Sequence, residues 1–147
     1  LYIISQRRTA FAKKFVWWIK DSLNFKKMNL AAQNFIGLKD FKSFTDADEE
    51  EKSTLVKIFD FQMKEEEPLI LIRIVGSHFL WKMARRMVGI LVEIGKGNMT
   101  ENDLKKLLSE KSNLPAKFTA PPSGLYLENV YYTENLKLPE LKSWIIL

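Results

Sequence analysis

Apolar and polar positions change period several times along the chain, and each change marks an element. Residues 1–5, LYIIS, are rich in Ile and Tyr and predict a strand. Residues 6–14 are basic and turn-like. FVWWI at 15–19 is aromatic and apolar, and its pattern is compatible with a short strand, a loop anchor or a surface wedge. Asn24 is placed to cap a helix. Phe25, Met28, Ala31, Ala32 and Phe35 follow at helical spacing, and Gly37 ends the run. KDFKSF predicts a helical turn anchored by Phe41 and Phe44. The acidic run TDADEEEK at 45–52 predicts a solvated loop that repels phosphate. Alternation over 55–63 and again over 69–75, with KEEEP as the turn and Pro68 at the second start, predicts an antiparallel hairpin.

GSHFLWKMARRMVGILVEIGKG, residues 76–97, follows. Gly76 breaks the hairpin and the apolar residues then take the helical period. At about 100° per residue, Leu80, Met83, Ala84, Met87, Leu91 and Ile94 share one face, as in a helix packed on a sheet. Lys82, Arg86 and Glu93 share the opposite face, which predicts solvent exposure for all three. Residues 100–110 predict a second amphipathic helix, with Thr100 and Asp103 as a capping box and Leu104, Leu107 and Leu108 as its stripe. TAPPSG at 119–124 predicts a rigid loop, and LYLENVYY at 125–132 a final strand. Residues 134–147 form a tail with Trp144 as its docking residue. Strands and helices mix without βαβ regularity. The class expected is therefore α+β, an antiparallel or mixed sheet with helices packed on one face.

Composition narrows the chemistry. A chain of 147 residues, 46% hydrophobic, is long enough for one domain with a sizeable core. The absence of cysteine excludes disulfides, thiolate metal sites and cysteine nucleophiles, and fits a reducing compartment. A single His leaves metal ligation poorly supplied. The net charge of +5 suits an anionic partner such as RNA. No signal peptide is evident, and no apolar run is long enough to span a bilayer. The chain opens without Met, inside what reads as a strand, which predicts a piece of a longer protein.

Arg85 is the position where chemistry concentrates. It projects at the border of the apolar arc, half desolvated, where an unpaired guanidinium is unfavourable. It needs a carboxylate or a phosphate, and a purely structural ion pair satisfies it equally well. Gly89 lies one turn on. A helix-interior glycine costs about 1 kcal/mol relative to Ala, which predicts close approach by a backbone or a ligand.

Three segments, in order and with natural spacing, resemble the tRNA pseudouridine synthase A family. The first is Phe79, Met83-Ala84-Arg85, Val88-Gly89, Leu91 and Ile94-Gly95. The second is Thr119-Ala120-Pro121, Gly124-Leu125-Tyr126-Leu127, Val130 and Tyr132. The third is NLAAQNFIGLKDFKSF. The likeness covers most of residues 1–132. It implies a pseudouridine-synthase-like half-fold over 1–133, the C-terminal domain of an enzyme whose catalytic N-terminal domain is absent from this chain. The implied reaction isomerises uridine to pseudouridine in the tRNA anticodon stem-loop, without cofactor or metal. The family's catalytic aspartate lies in an R-T-D-x-G-V context that this sequence lacks, so the chain alone is expected to be inactive. Tyr2 matches the second tyrosine of the family's Y-x-Y-x-I pattern, and the first, active-site tyrosine falls outside the chain.

By the same resemblance, Arg85 pairs with that aspartate and holds it ionised as a nucleophile toward the uracil ring or its sugar. Gly124, Leu125, Tyr126 and Phe79 are the expected substrate-binding residues, an apolar floor for a flipped base. Lys82 and Arg86 are candidate phosphate contacts. tRNA is the implied partner, a homodimer the implied assembly, and the cytoplasm the implied location. Ala84 departs from the family's usual Val, Trp81 and Lys82 from more polar residues, and the acidic run at 46–51 from a segment that is often basic. Two other readings remain: a non-catalytic RNA-binding module, and a protein-interaction domain that uses FVWWI as an interface patch.

Overall fold

The computed structural model describes residues 1–46, 53–133 and 135–147. Strands β1 (Tyr2–Ser5), β2 (Trp17–Trp18), β3 (Gly37–Asp40), β4 (Leu55–Glu66) and β5 (Leu69–Gly76) form one sheet in the order β2-β1-β5-β4-β3. β1 and β2 run parallel and every other pairing is antiparallel. Helices α1 (Phe25–Ala32), α2 (Met83–Lys96), α3 (Glu101–Ser109) and the single turn α4 (Leu114–Lys117) complete the chain. The class is α+β, as the mixed pattern predicted.

Alternation assigns the faces. Tyr2, Ile4, Val56, Ile58, Ile70 and Ile72 turn to the helix layer and pack on Met28, Phe35, Met87 and Leu91. A bulge between Ile58 and Asp60 shifts the parity of β4, so Phe61 continues the inward row. Phe41 and Phe44 are fully buried around a short 3₁₀ turn at Lys42–Phe44, the anchored turn that KDFKSF predicted. On the other face, Ile3, Leu69 and Leu71 are covered by Ala12 and Val16 from the β1–β2 connection and by Leu141 from the tail. Trp144 meets Tyr126 edge-on at 4.8 Å. Ser143 N donates to Glu66 Oε2 at 3.0 Å, which ties the tail to the end of β4.

Both helix starts read from capping chemistry are present. Asn24 Oδ1 accepts from Lys27 N at 3.0 Å, and Thr100 and Asp103 form the reciprocal box. Four expectations are corrected. Gly37 does not end α1, which stops at Ala32 and continues as a 3₁₀ turn through Phe35; Gly37 opens β3. KEEEP is not all turn, because β4 keeps its ladder to Glu66 and the reversal falls at Glu67-Pro68. α2 begins at Met83, since Ser77 N still bonds Lys57 O at 2.8 Å and Lys82 adopts a left-handed φ of 58°.

The fourth correction concerns residues 125–132. They make one antiparallel bridge, Leu125 with Tyr2, and no strand. Beyond Tyr126, whose N–H bonds Leu1 O at 2.8 Å, they find no ladder partner among the described residues. Most of the acidic run, residues 47–52, lies outside the described residues, as does residue 134. No described helix is long and apolar enough to cross a membrane.

Candidate active site

A cleft of about 1000 Å³ opens where the β4–β5 hairpin meets the start of α2. Three segments wall it. Lys57, Phe59, Arg73 and Val75 project from β4 and β5, residues 77–85 enter α2, and residues 125–132 cross over the top. The walls therefore come from segments far apart in sequence, and the register of the hairpin sets where they meet.

Arg85 sits in the first turn of α2 and lines the cleft, half-buried as its border position predicted. Its Nε donates to Ala120 O at 2.6 Å. Ala120 N in turn donates to the Arg85 carbonyl at 3.0 Å. Gly89 makes this clamp possible, because a Cβ built there would lie 1.5 Å from the Phe118 carbonyl oxygen. The close approach expected at Gly89 is therefore by backbone. The guanidinium is held at one nitrogen, and among the described residues no carboxylate pairs with the rest of it.

Phe79, Lys82, Leu125 and Tyr126 line the same cleft. Lys82 Nζ lies 4.0 Å from the centre of the Trp81 ring, a cation–π contact at the rim. Tyr126 donates to Phe15 O at 2.7 Å, and burial raises its phenol pKa. Tyr2, at the foot of the cleft, donates to Pro121 O at 2.7 Å. Burial pushes its phenol far above the ordinary range, against the lowering effect of nearby Arg85, so it stays protonated. Gly124 does not line the cleft. Its φ of 105°, and a Cβ position 2.8 Å from Ile3 O, show a backbone requirement that lets the loop lie against β1.

Arg86 is not at the cleft, and the exposed-face reading is overturned. It is 3% exposed, and its Nη2 bonds Asp46 Oδ1 at 2.6 Å. The helical wheel failed there because α2 is enclosed on several sides, by the sheet, α1, the 3₁₀ turn at Lys42–Phe44 and the 118–120 backbone. Among the described residues its Nε finds no acceptor. Glu93, on the same helix, meets Lys96 at 3.6 Å and Asn98 at 2.8 Å.

Sequence reasoning missed a second arginine. Arg73 is 3% exposed, donates from Nε to both Glu128 oxygens at 3.1 and 2.9 Å, and bonds Pro139 O at 2.7 Å. It thus ties β5 to the 125–132 segment and to the tail. The signal was available, since Arg73 is the lone charge in LILIRIVG. With Arg73 and Glu128 neutralising each other, Lys57, Lys82 and Arg85 leave the cleft with unpaired positive charge. Phe59, Phe79, Trp81 and Leu125 expose apolar surface beside it. That combination accommodates an anion bearing a flat apolar group.

The arrangement belongs to a known class. A sequence model of the family described as tRNA pseudouridine synthase matches residues 31–133, and the chain belongs to that family. More narrowly, it is similar to tRNA pseudouridine synthase A of Staphylococcus aureus strains Newman and MRSA252. Each is 37% identical over 131 residues, which is 89% of this chain and 49% or 50% of the relative. The chain thus spans about half the length of the curated relatives it matches.

Proposed function

We propose that this chain is the C-terminal domain of an enzyme that isomerises uridine to pseudouridine in the tRNA anticodon stem-loop. One observation carries the reading. Arg85 is half-buried at the cleft, fixed through Nε to Ala120 O, with the remainder of its guanidinium unpaired among the described residues. Such a group favours a carboxylate in its ionised form and orients it through two parallel N–H donors.

The carboxylate belongs to an aspartate supplied from outside this chain. Held ionised, it attacks the uracil ring or its sugar. The glycosidic bond to N1 breaks, the same sugar carbon joins C5, the bond to the aspartate is released, and the proton lost from C5 is matched by one taken up at N1, which gives the isomer. Phe79, Leu125 and Tyr126 supply the apolar wall against which an extruded uracil rests, and Lys82 supports phosphate at the rim. tRNA is the partner, and the parent acts as a homodimer in the cytoplasm.

The test is tritium release from tRNA carrying 5-tritiated uridine. The full-length parent should release tritium and the isolated chain should not. Arg85→Ala in the parent should lower turnover by about 10²- to 10³-fold, the scale of losing one preorganised electrostatic partner. Arg85→Lys should recover only part of it, because an ammonium lacks the planar fork. Near-normal release by Arg85→Ala, or turnover by the isolated chain, would overturn the assignment. A parent that binds tRNA but releases nothing favours a non-catalytic RNA-binding module.

A further inference from the structure

The β1–β2 connection, QRRTAFAKKF, takes no part in the cleft chemistry. Arg7, Arg8, Lys13 and Lys14 are all exposed, and among the described residues none meets a carboxylate. Two residues hold the loop down: Ala12 and Val16 are buried against Ile3 and Leu71. Between and beside them, Phe11 is 96% exposed and Phe15 is 48% exposed. An apolar ring that turns outward while its neighbours turn inward contributes nothing to the core. Arg8 lies with its guanidinium 5.5 Å from the centre of the Trp18 ring, so one cation is already oriented.

The loop also adjoins the cleft. Phe15 O accepts the Tyr126 hydroxyl at 2.7 Å, and Tyr126 lines the cleft.

We infer that the β1–β2 loop is a second RNA contact, gripping a single-stranded segment next to the cleft by cations on phosphate and by stacking of a base on Phe11. Interleaved cations and exposed aromatic faces are the arrangement that tracks a phosphate backbone and holds unstacked bases without reading sequence. An acidic protein surface would use the cations and leave Phe11 in water. The inference rests on the reading of this chain as part of an RNA enzyme only for the identity of the polyanion.

The experiment is equilibrium binding of the 147-residue chain to unfractionated tRNA and to a fluorescein-labelled oligouridylate, titrated from about 50 to about 200 mM salt. The variant Arg8→Ala/Lys13→Ala/Lys14→Ala should bind more weakly, and its slope of log affinity against log salt should shrink by about 2, at ~0.7 per single-strand phosphate contact. Phe11→Ala should weaken binding about 10-fold with the slope unchanged, as loss of one stacked base does. Lys26→Ala/Lys27→Ala, which removes two exposed cations from the helix layer, should change the slope far less than the loop variant.

The inference is overturned if the unmodified chain binds neither RNA, or if loop and helix-layer variants lose affinity equally. It is also overturned if the loop variants keep their RNA affinity but lose self-association in sedimentation, which would make the loop a protein interface. The reading of the cleft fails separately: the parent would then release no tritium while its tRNA binding still depended on the loop.

Discussion

At the residue scale, single atoms decide what each position tolerates. Gly89 is the sharpest case. Any Cβ there drives into the Phe118 carbonyl, and backbone cannot swing aside as a side chain can. Gly89→Ala should therefore destabilise the chain by at least about 2 to 3 kcal/mol in urea unfolding, the upper part of the overpacking range, despite alanine's better helix propensity. Glu128 is a second. Hydrogen bonds from Arg73 hold its carboxyl below the ordinary 4.5, against the opposing effect of burial. A depressed carboxylate pKa contributes stability that is present above the ordinary value and lost as pH falls through the folded one. The protein should thus lose stability as pH drops below about 4.5, measured by thermal unfolding across that range. Glu128→Gln should be less stable at neutral pH by about 2 kcal/mol, since it leaves Arg73 charged and buried, and its stability should fall less steeply in acid.

At the element scale, capping chemistry is local and can be checked one helix at a time. α3 buries only Leu104 and Leu107, so its first turn leans on Thr100, whose hydroxyl accepts from Asp103 N at 3.2 Å while Asp103 bonds back to Thr100 N at 2.7 Å. Thr100→Ala should destabilise by about 1 kcal/mol in chemical denaturation and raise amide exchange in the first turn of α3 above that elsewhere. The same locality explains why the Asn24 and Thr100 starts were legible, whereas the start of α2 was not. The residues before Met83 have the apolar period of a helix, yet they are committed to the hairpin end and the cleft wall. Likewise LYLENVYY has the composition of a strand, but a strand needs a ladder partner, and among the described residues only Leu125 finds one, in a single bridge to Tyr2.

At the scale of the whole molecule, the layer opposite the helices is built from pieces remote in sequence. The tail buries Leu141 over β5, supplies Pro139 O to Arg73, and sets Trp144 on Tyr126. A chain ending at residue 133 should uncover Ile3, Leu69 and Leu71. It should bind a hydrophobic dye, melt several degrees lower and loosen the 125–132 segment; an unchanged melting temperature would refute this role for the tail.

The sequence by itself determined the hairpin, the two capped helices, the α+β class and the family, because these depend on local periodicity, turn chemistry and fixed motif spacing. It also placed Arg85 at a half-buried border and required a close approach at Gly89. Only the tertiary structure decided that the approach is by the Phe118 backbone, that Arg86 is buried on Asp46 while Lys82 stays at the rim, and that Arg73 locks Glu128. A helical wheel knows one helix and counts its faces. Which faces are covered depends on how many neighbours the fold brings to that helix, and no periodicity within α2 records them.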